Sequence, residues 1–200
     1  MADVDLRLQT PQVVDVAADL AHHILNEDPE RLEHSRAVAD RAKFLTLAVD
    51  DDQAPLLVAA AWLHDIGYAP GLKQTGFHPL DGANHLRVAG WPAIVCGLVA
   101  HHSGSRFVAK ERGLDDAMAH FEFREDLLSD ALTTADQTIG PHGRLMTVGE
   151  RIDDMLARHG EDSPNARAHS KRGPYLVEAA RRVATRLETA GVARKAHRIL

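Results

Sequence analysis

A chain of 200 residues, 44% hydrophobic and 26% charged, is long enough for one domain with a sizeable core and has the balance of a soluble globular protein. No apolar stretch approaches the roughly 18 residues of a membrane span. The net charge of −6 is uneven: Pro164 to Leu200 holds nine Lys/Arg against two Glu, an excess of +7 that leaves −13 on the preceding 163 residues, and so acidic a body argues against a general nucleic-acid binder.

The N-terminus, Met1 to Asp5, has no basic region leading into an apolar one, so no secretory signal is expected. A single cysteine, Cys96, excludes an internal disulfide and fits a reducing, cytoplasmic setting. The first predicted helix runs from Gln12 to Asn26, with Val13, Val14, Val16, Ala17, Leu20 and Ile24 at helical spacing. Asp28-Pro29 supplies a cap and a first-turn proline for a second helix reaching about Val49. After the acidic loop Asp50-Asp51-Asp52, a third helix from Gln53 to Ile66 is apolar nearly all round, which places it at the centre of the fold, and Gly67 is its stop signal. A loop rich in Gly and Pro leads to a short helix near Leu80 to Val88. Further helices follow at Pro92 to His102, Glu122 to Asp136, Val148 to Arg158 and Tyr175 to Thr189. No alternating strand pattern of useful length, internal repeat or low-complexity segment interrupts them. The expectation is an all-α, single-domain helical bundle.

The third helix closes on the pair His64-Asp65, two polar side chains at the end of an apolar run. Burying them costs several kcal/mol, roughly, unless a partner compensates, and a metal ion is one such partner. Other metal-ligand types sit beside apolar helices: His34, His78, the doublet His101-His102, and Asp136. They offer imidazole nitrogen and carboxylate oxygen without thiolate, a set suited to borderline divalent metals. Taken singly, each residue also has a plain reading as a helix cap, a turn residue or a satisfied polar group. Most of the 13 histidines are expected at the surface, His22, His120, His142, His159, His169 and His197 among them.

The order His34, His64-Asp65, Asp136, with the doublet in Leu63-His64-Asp65-Ile66-Gly67, resembles the HD-domain superfamily of metal-dependent phosphohydrolases. The segment His78-Pro79-Leu80-Asp81-Gly82-Ala83 is similar to the six-ligand, two-metal branch. The resemblance implies His34, His64, Asp65 and Asp136 as core ligands, with His78 and His101 as a second set and Asp65 bridging. The choice between His101 and His102 stays open, and His102 is the candidate proton donor or supporting partner beside Asp65 in catalysis. It implies two divalent ions, with iron first and manganese, zinc, magnesium or nickel as alternatives. The likeness covers roughly Arg31 to Asp136, and the expected organisation is a core over 29–160, with a helix at 1–28 packed on it and a basic helix at 161–200 in the same domain. The implied activity is hydrolysis of a phosphomonoester or phosphodiester of a small, nucleotide-like substrate by a metal-bound hydroxide. Lys73 and Arg144 are the candidate phosphate-binding cations. A di-iron oxygenase is the alternative, since the ligand types are shared, and a non-catalytic regulatory domain ranks below it. The absence of Gly-Tyr-Pro after His102 argues against the cyclic-dinucleotide phosphodiesterase branch. The basic C-terminal helix is a candidate dimerisation surface.

Overall fold

The computed structural model describes residues 12–160, 162–192 and 199–200, apart from the side chain of His159. The N-terminal pentapeptide, His197 and the basic residues Arg194, Lys195 and Arg198 lie outside the described residues. Helices α1 (Gln12–Ile24), α2 (Pro29–Leu45), α3 (Ala54–Leu63), α4 (His78–Val88) and α5 (Ala93–His101) make up the first half. Helices α6 (Ser105–Glu111), α7 (Asp115–Met118), α8 (Leu127–Gln137), α9 (Val148–His159) and α10 (Pro164–Thr189) make up the second. Among the described residues the only β pairing is an isolated bridge between Ile139 and Leu145, so the fold is all-α.

Helix α3 is central, as its composition requires: every residue from Leu57 to Leu63 is buried, and α1, α2, α5 and α8 pack around it. Alanines at 59, 60 and 61 leave no accessible surface, which lets neighbouring helices approach closely. Helix α10 closes the other side by packing on α8, α6 and α9. No helix among the described residues is long and apolar enough to cross a membrane.

Local signals set the helix starts. The Asp28 carboxylate accepts from Arg31 N, Asp126 accepts from Ser129 N, and Ser163 accepts from Ala166 N ahead of Pro164. Thr147 and Glu150 form a reciprocal capping box at α9. Three expectations are corrected. Val16 is 40% exposed, because α1 turns Val13, Ala17 and Ala21 inward instead. The last helix begins at Pro164, eleven residues before Tyr175, since Pro174 deletes one backbone bond while packing against α6 and α8 holds the turns on either side. Helices α6 and α7 form where no helix is predicted.

Two turns position the site. Helix α3 ends at Leu63, and the chain tightens into a 3₁₀ turn at Ile66–Tyr68. Gly67 is therefore not a helix stop: a Cβ there would lie 2.0 Å from the carbonyl oxygen of His78, so its role is to let α4 dock. After α5, Ser103 (φ 52°) and Gly104 (φ 64°) are both left-handed, reversing the chain just past the His101-His102 doublet. For a serine that conformation costs on the order of 1 kcal/mol or more and persists only where its contacts hold it.

Candidate metal centre

His64 and Asp65 leave the end of α3 into the middle of the bundle, where both are buried. His64 Nδ1 lies 2.8 Å from the carbonyl of Ala61, and His102 Nδ1 lies 2.7 Å from that of Val99. A carbonyl only accepts, so Nδ1 donates in both cases and Nε2 is turned to the interior. The same three-residue back-bond thus aims one imidazole from the end of α3 and another from the end of α5.

His34, His64 and Asp136 form one group and Asp65, His78 and His102 a second, the potential ligand atoms of each lying within 4.8 Å of one another. In the first, His34 Nε2 is 3.1 Å and His64 Nε2 3.8 Å from Asp136 Oδ1. In the second, His78 Nε2 is 3.3 Å from His102 Nε2. Asp65 joins them. Its Oδ2 stands 3.4 Å from His64 Nε2 and 3.8 Å from His34 Nε2, while its Oδ1 stands 3.2 Å from His78 Nε2 and 3.8 Å from His102 Nε2.

The surroundings hold these groups in place. Arg31 donates to Asp65 Oδ2 at 2.7 Å and lies over the ring of Tyr68, which stacks on His78 at 3.9 Å between centroids. Ser103 Oγ donates to Asp136 Oδ2, and Gln137 Nε2 donates to the same oxygen at 2.9 Å. Asp136 Oδ1 is left facing the imidazoles. The left-handed turn at Ser103 is what brings that hydroxyl across to α8.

The electrostatics favour a cation. Burial opposes a charge on His64, but Asp65 and then Asp136 outweigh it and draw the imidazole up to about 9. Burial likewise opposes ionisation of Asp65, yet His64 and Arg31 hold it well below the usual carboxylate range. For Asp136, burial is overcome by the hydrogen bond to His34 and by His64. Burial pushes His102 down to about 3, so it stays neutral with a lone pair available. His64 Nε2 is buried without a hydrogen-bond partner among the described residues. An orphaned ring nitrogen between two ionised carboxylates fits a bound divalent ion, which would satisfy both.

Of the two histidines between which the resemblance left the choice open, His102 and not His101 stands in the second group. Position 101 is still helical, and its buried ring turns away from the two groups, with Nε2 3.0 Å from the carbonyl of Phe121 and the ring edge-on to Phe123. His102, the next residue, faces the second group. His102→Ala is expected to lower bound metal, while His101→Ala keeps metal content and loses stability alone. Elemental analysis beside thermal unfolding separates the two, and the reverse pattern would overturn the assignment.

The centre opens into a cavity of about 630 Å³ lined by Arg31, Lys73, Arg112, Arg151, Arg158 and Arg172, facing the carboxylates of Asp65 and Asp136. Lys73 lines this cavity. Arg144 does not: it is exposed on the turn after α8, away from the lining. The five arginines and the supporting residues Tyr68, Ser103 and Gln137 escape the sequence reading. Only Arg31 had a signal, lying one turn before His34 on the same face of α2.

The HD domain family model matches residues 31–190, from α2 to the end of α10. The chain belongs to the HD domain family. No curated protein and no solved structure matches the chain. In this HD domain the doublet His64-Asp65 is the point at which the two groups meet, and the match takes in every residue of both.

The raised position of His64 carries a pH consequence for this HD domain. Without metal, the ion pairing of His64 contributes stability that is full below the ordinary value of 6.5 and is lost as pH rises through about 9. A bound cation must displace that proton, so metal affinity is expected to rise with pH up to about 9, with about one proton released per ion at neutral pH. Calorimetry in two buffers of different ionisation enthalpy measures the release. Identical heats in both buffers would contradict it.

Proposed function

We propose that this HD domain is a phosphohydrolase that uses two divalent ions, iron foremost, to cleave a phosphoester of a small substrate. The observation that carries the reading is Asp65, whose two oxygens face two separate ligand groups at the floor of a cation-lined cavity. His34, His64 and Asp136 would hold one ion, His78 and His102 the other, with Asp65 shared. Such a pair supplies Lewis acidity at the phosphoryl oxygens and a water made acidic enough to attack at neutral pH.

The chain's own residues supply the rest. Arg172 donates through Nε to the carbonyl of Ser103 at 2.8 Å, which fixes its guanidinium at the cavity floor. It forms no ion pair among the described residues, and burial bears on its charge. Such a cation suits the phosphoryl oxygens that gain charge during transfer. Arg151, on the inner face of α9, adds a second positive group close enough to lower Asp136. Arg31 keeps Asp65 ionised and oriented through its 2.7 Å bond. Tyr68, whose hydroxyl burial pushes upward, stays protonated and brings no negative charge to the cavity.

The test is phosphate release from a panel of phosphomonoesters and phosphodiesters, with elemental analysis of the same preparation. Release is expected to stop on chelation and return with added divalent ion. No release from any compound by metal-replete protein would sink the reading.

A further inference from the structure

The cations of the cavity lie in two tiers. Arg172 is buried and Arg31 and Arg151 are half-buried, whereas Lys73, Arg112 and Arg158 are exposed. Three helices carry the chain between the tiers. Helix α6 contributes Ser105 near the centre and Arg112 at its outer end; α9 contributes Arg151 and, seven residues on, Arg158; α10 enters at Pro164 and reaches Arg172. At a rise of 1.5 Å per residue, seven residues separate floor and rim by about 10 Å. Charges fall the same way: Arg151 acts on Asp136, whereas Arg158 pairs with Asp154.

The rim is only partly neutralised by neighbouring acids, since Arg158 donates through two nitrogens to Asp154. Arg158 and Arg151 share one carboxylate, Asp154, while Glu111 is taken by Arg167. Lys73 and Arg112 form no ion pair among the described residues, and the Arg112 guanidinium is held over the ring of Phe77. One floor cation, Arg172, is 8% exposed, and its two terminal nitrogens donate to nothing among the described residues. A single phosphoryl group at the metal centre reaches the floor tier and leaves Lys73 and Arg112 unmatched, with Arg158 sharing Asp154 with Arg151. In a protein of net charge −6, holding cations at both depths of one cavity points to an anion at each.

We propose that the cavity takes a substrate with two phosphoryl groups, the reacting one at the His/Asp centre and a second at Arg112 and Arg158. This rests on reading the centre as a phosphoryl site. The probes are 1,6-hexanediol bisphosphate and hexyl monophosphate, titrated into the purified full chain by calorimetry. The bisphosphate is expected to bind at least about tenfold more tightly, the scale of one charge-assisted contact. Arg112→Gln together with Arg158→Gln is expected to abolish that advantage while hexyl monophosphate affinity shifts less than about threefold, which also shows that the variant is folded. Equal affinities in the unaltered protein, or an advantage that survives both substitutions, overturns the proposal. Binding of neither probe overturns it together with the phosphoryl reading. A bisphosphate advantage without hydrolysis of any compound supports it while the hydrolase reading fails.

Discussion

Asp65→Ala is expected to lose at least one ion per chain and to lower hydrolysis by about three orders of magnitude or more, the scale of several kcal/mol of electrostatic stabilisation at the reacting phosphoryl group. Among the described residues, Asp65 alone has oxygens facing both ligand groups, Oδ2 towards His34 and His64 and Oδ1 towards His78 and His102. Its removal also strips Arg31 of its carboxylate and His64 of its strongest attraction. Breaking a buried pair in this way costs about 3 kcal/mol, so part of the lost activity would come with lost stability. Asp65→Asn separates the effects. It keeps the volume and one carbonyl oxygen but cannot serve two cations as a shared anion. It keeps an acceptor for Arg31, so it is expected to lose less stability than the alanine variant while losing nearly as much turnover. Elemental analysis, thermal unfolding and phosphate release measure the three quantities. Full metal content in Asp65→Ala would remove the shared-carboxylate reading.

Gly67→Ala is expected to be the most damaging change outside the ligands. An added Cβ would lie 2.0 Å from His78 O, 2.6 Å from Gly82 N and 2.8 Å from His78 C, all of them backbone atoms. Gly82 answers from the other side, since a Cβ there would lie 3.2 Å from Gly67 N. These two glycines let the turn after His64-Asp65 sit almost backbone to backbone on the start of α4. That contact brings His78 Nε2 within 3.2 Å of Asp65 Oδ1. Backbone cannot swing aside as a flexible side chain can, so α4 must move away. The expected cost is about 3 kcal/mol, or a fall of roughly 6–12 °C in Tm for a domain of this size. The displaced His78 should lower metal content as well. Gly71→Ala is the control: nothing lies within 4 Å of its Cβ position, and a change within about 0.5 kcal/mol is expected. An unchanged Tm in Gly67→Ala would contradict the contact.

Much of the molecule was legible from local chemistry. The apolar run of α3 required a central helix, because no face of it could meet water. Caps at Asp28 and the proline after it marked the start of α2. The pair His64-Asp65 at the end of α3 called for a partner, because two polar groups there needed compensation. Helix α10 runs eleven residues further back than its periodicity marked, through Pro174, because packing on α6 and α8 holds the turns on either side.

By itself, then, the sequence determined the helical class, the central helix, and the residue types and order of the candidate ligands. Those depend on side-chain chemistry and on periodicity along one stretch of chain. The tertiary structure decided what depends on distance across the chain. It chose His102 over His101, since one residue at a helix end changes direction by about 100°, and α5 has to end before the inward side is known. It gave Gly67 its role, because a backbone approach between residues 67 and 78 leaves no pattern in either segment. It also gathered Arg31, Arg112, Arg151, Arg158 and Arg172 around one cavity. Arginines on three helices and at the end of a fourth look like ordinary surface charge until packing gathers them, and Arg144, alike in sequence, stays outside because its turn faces solvent.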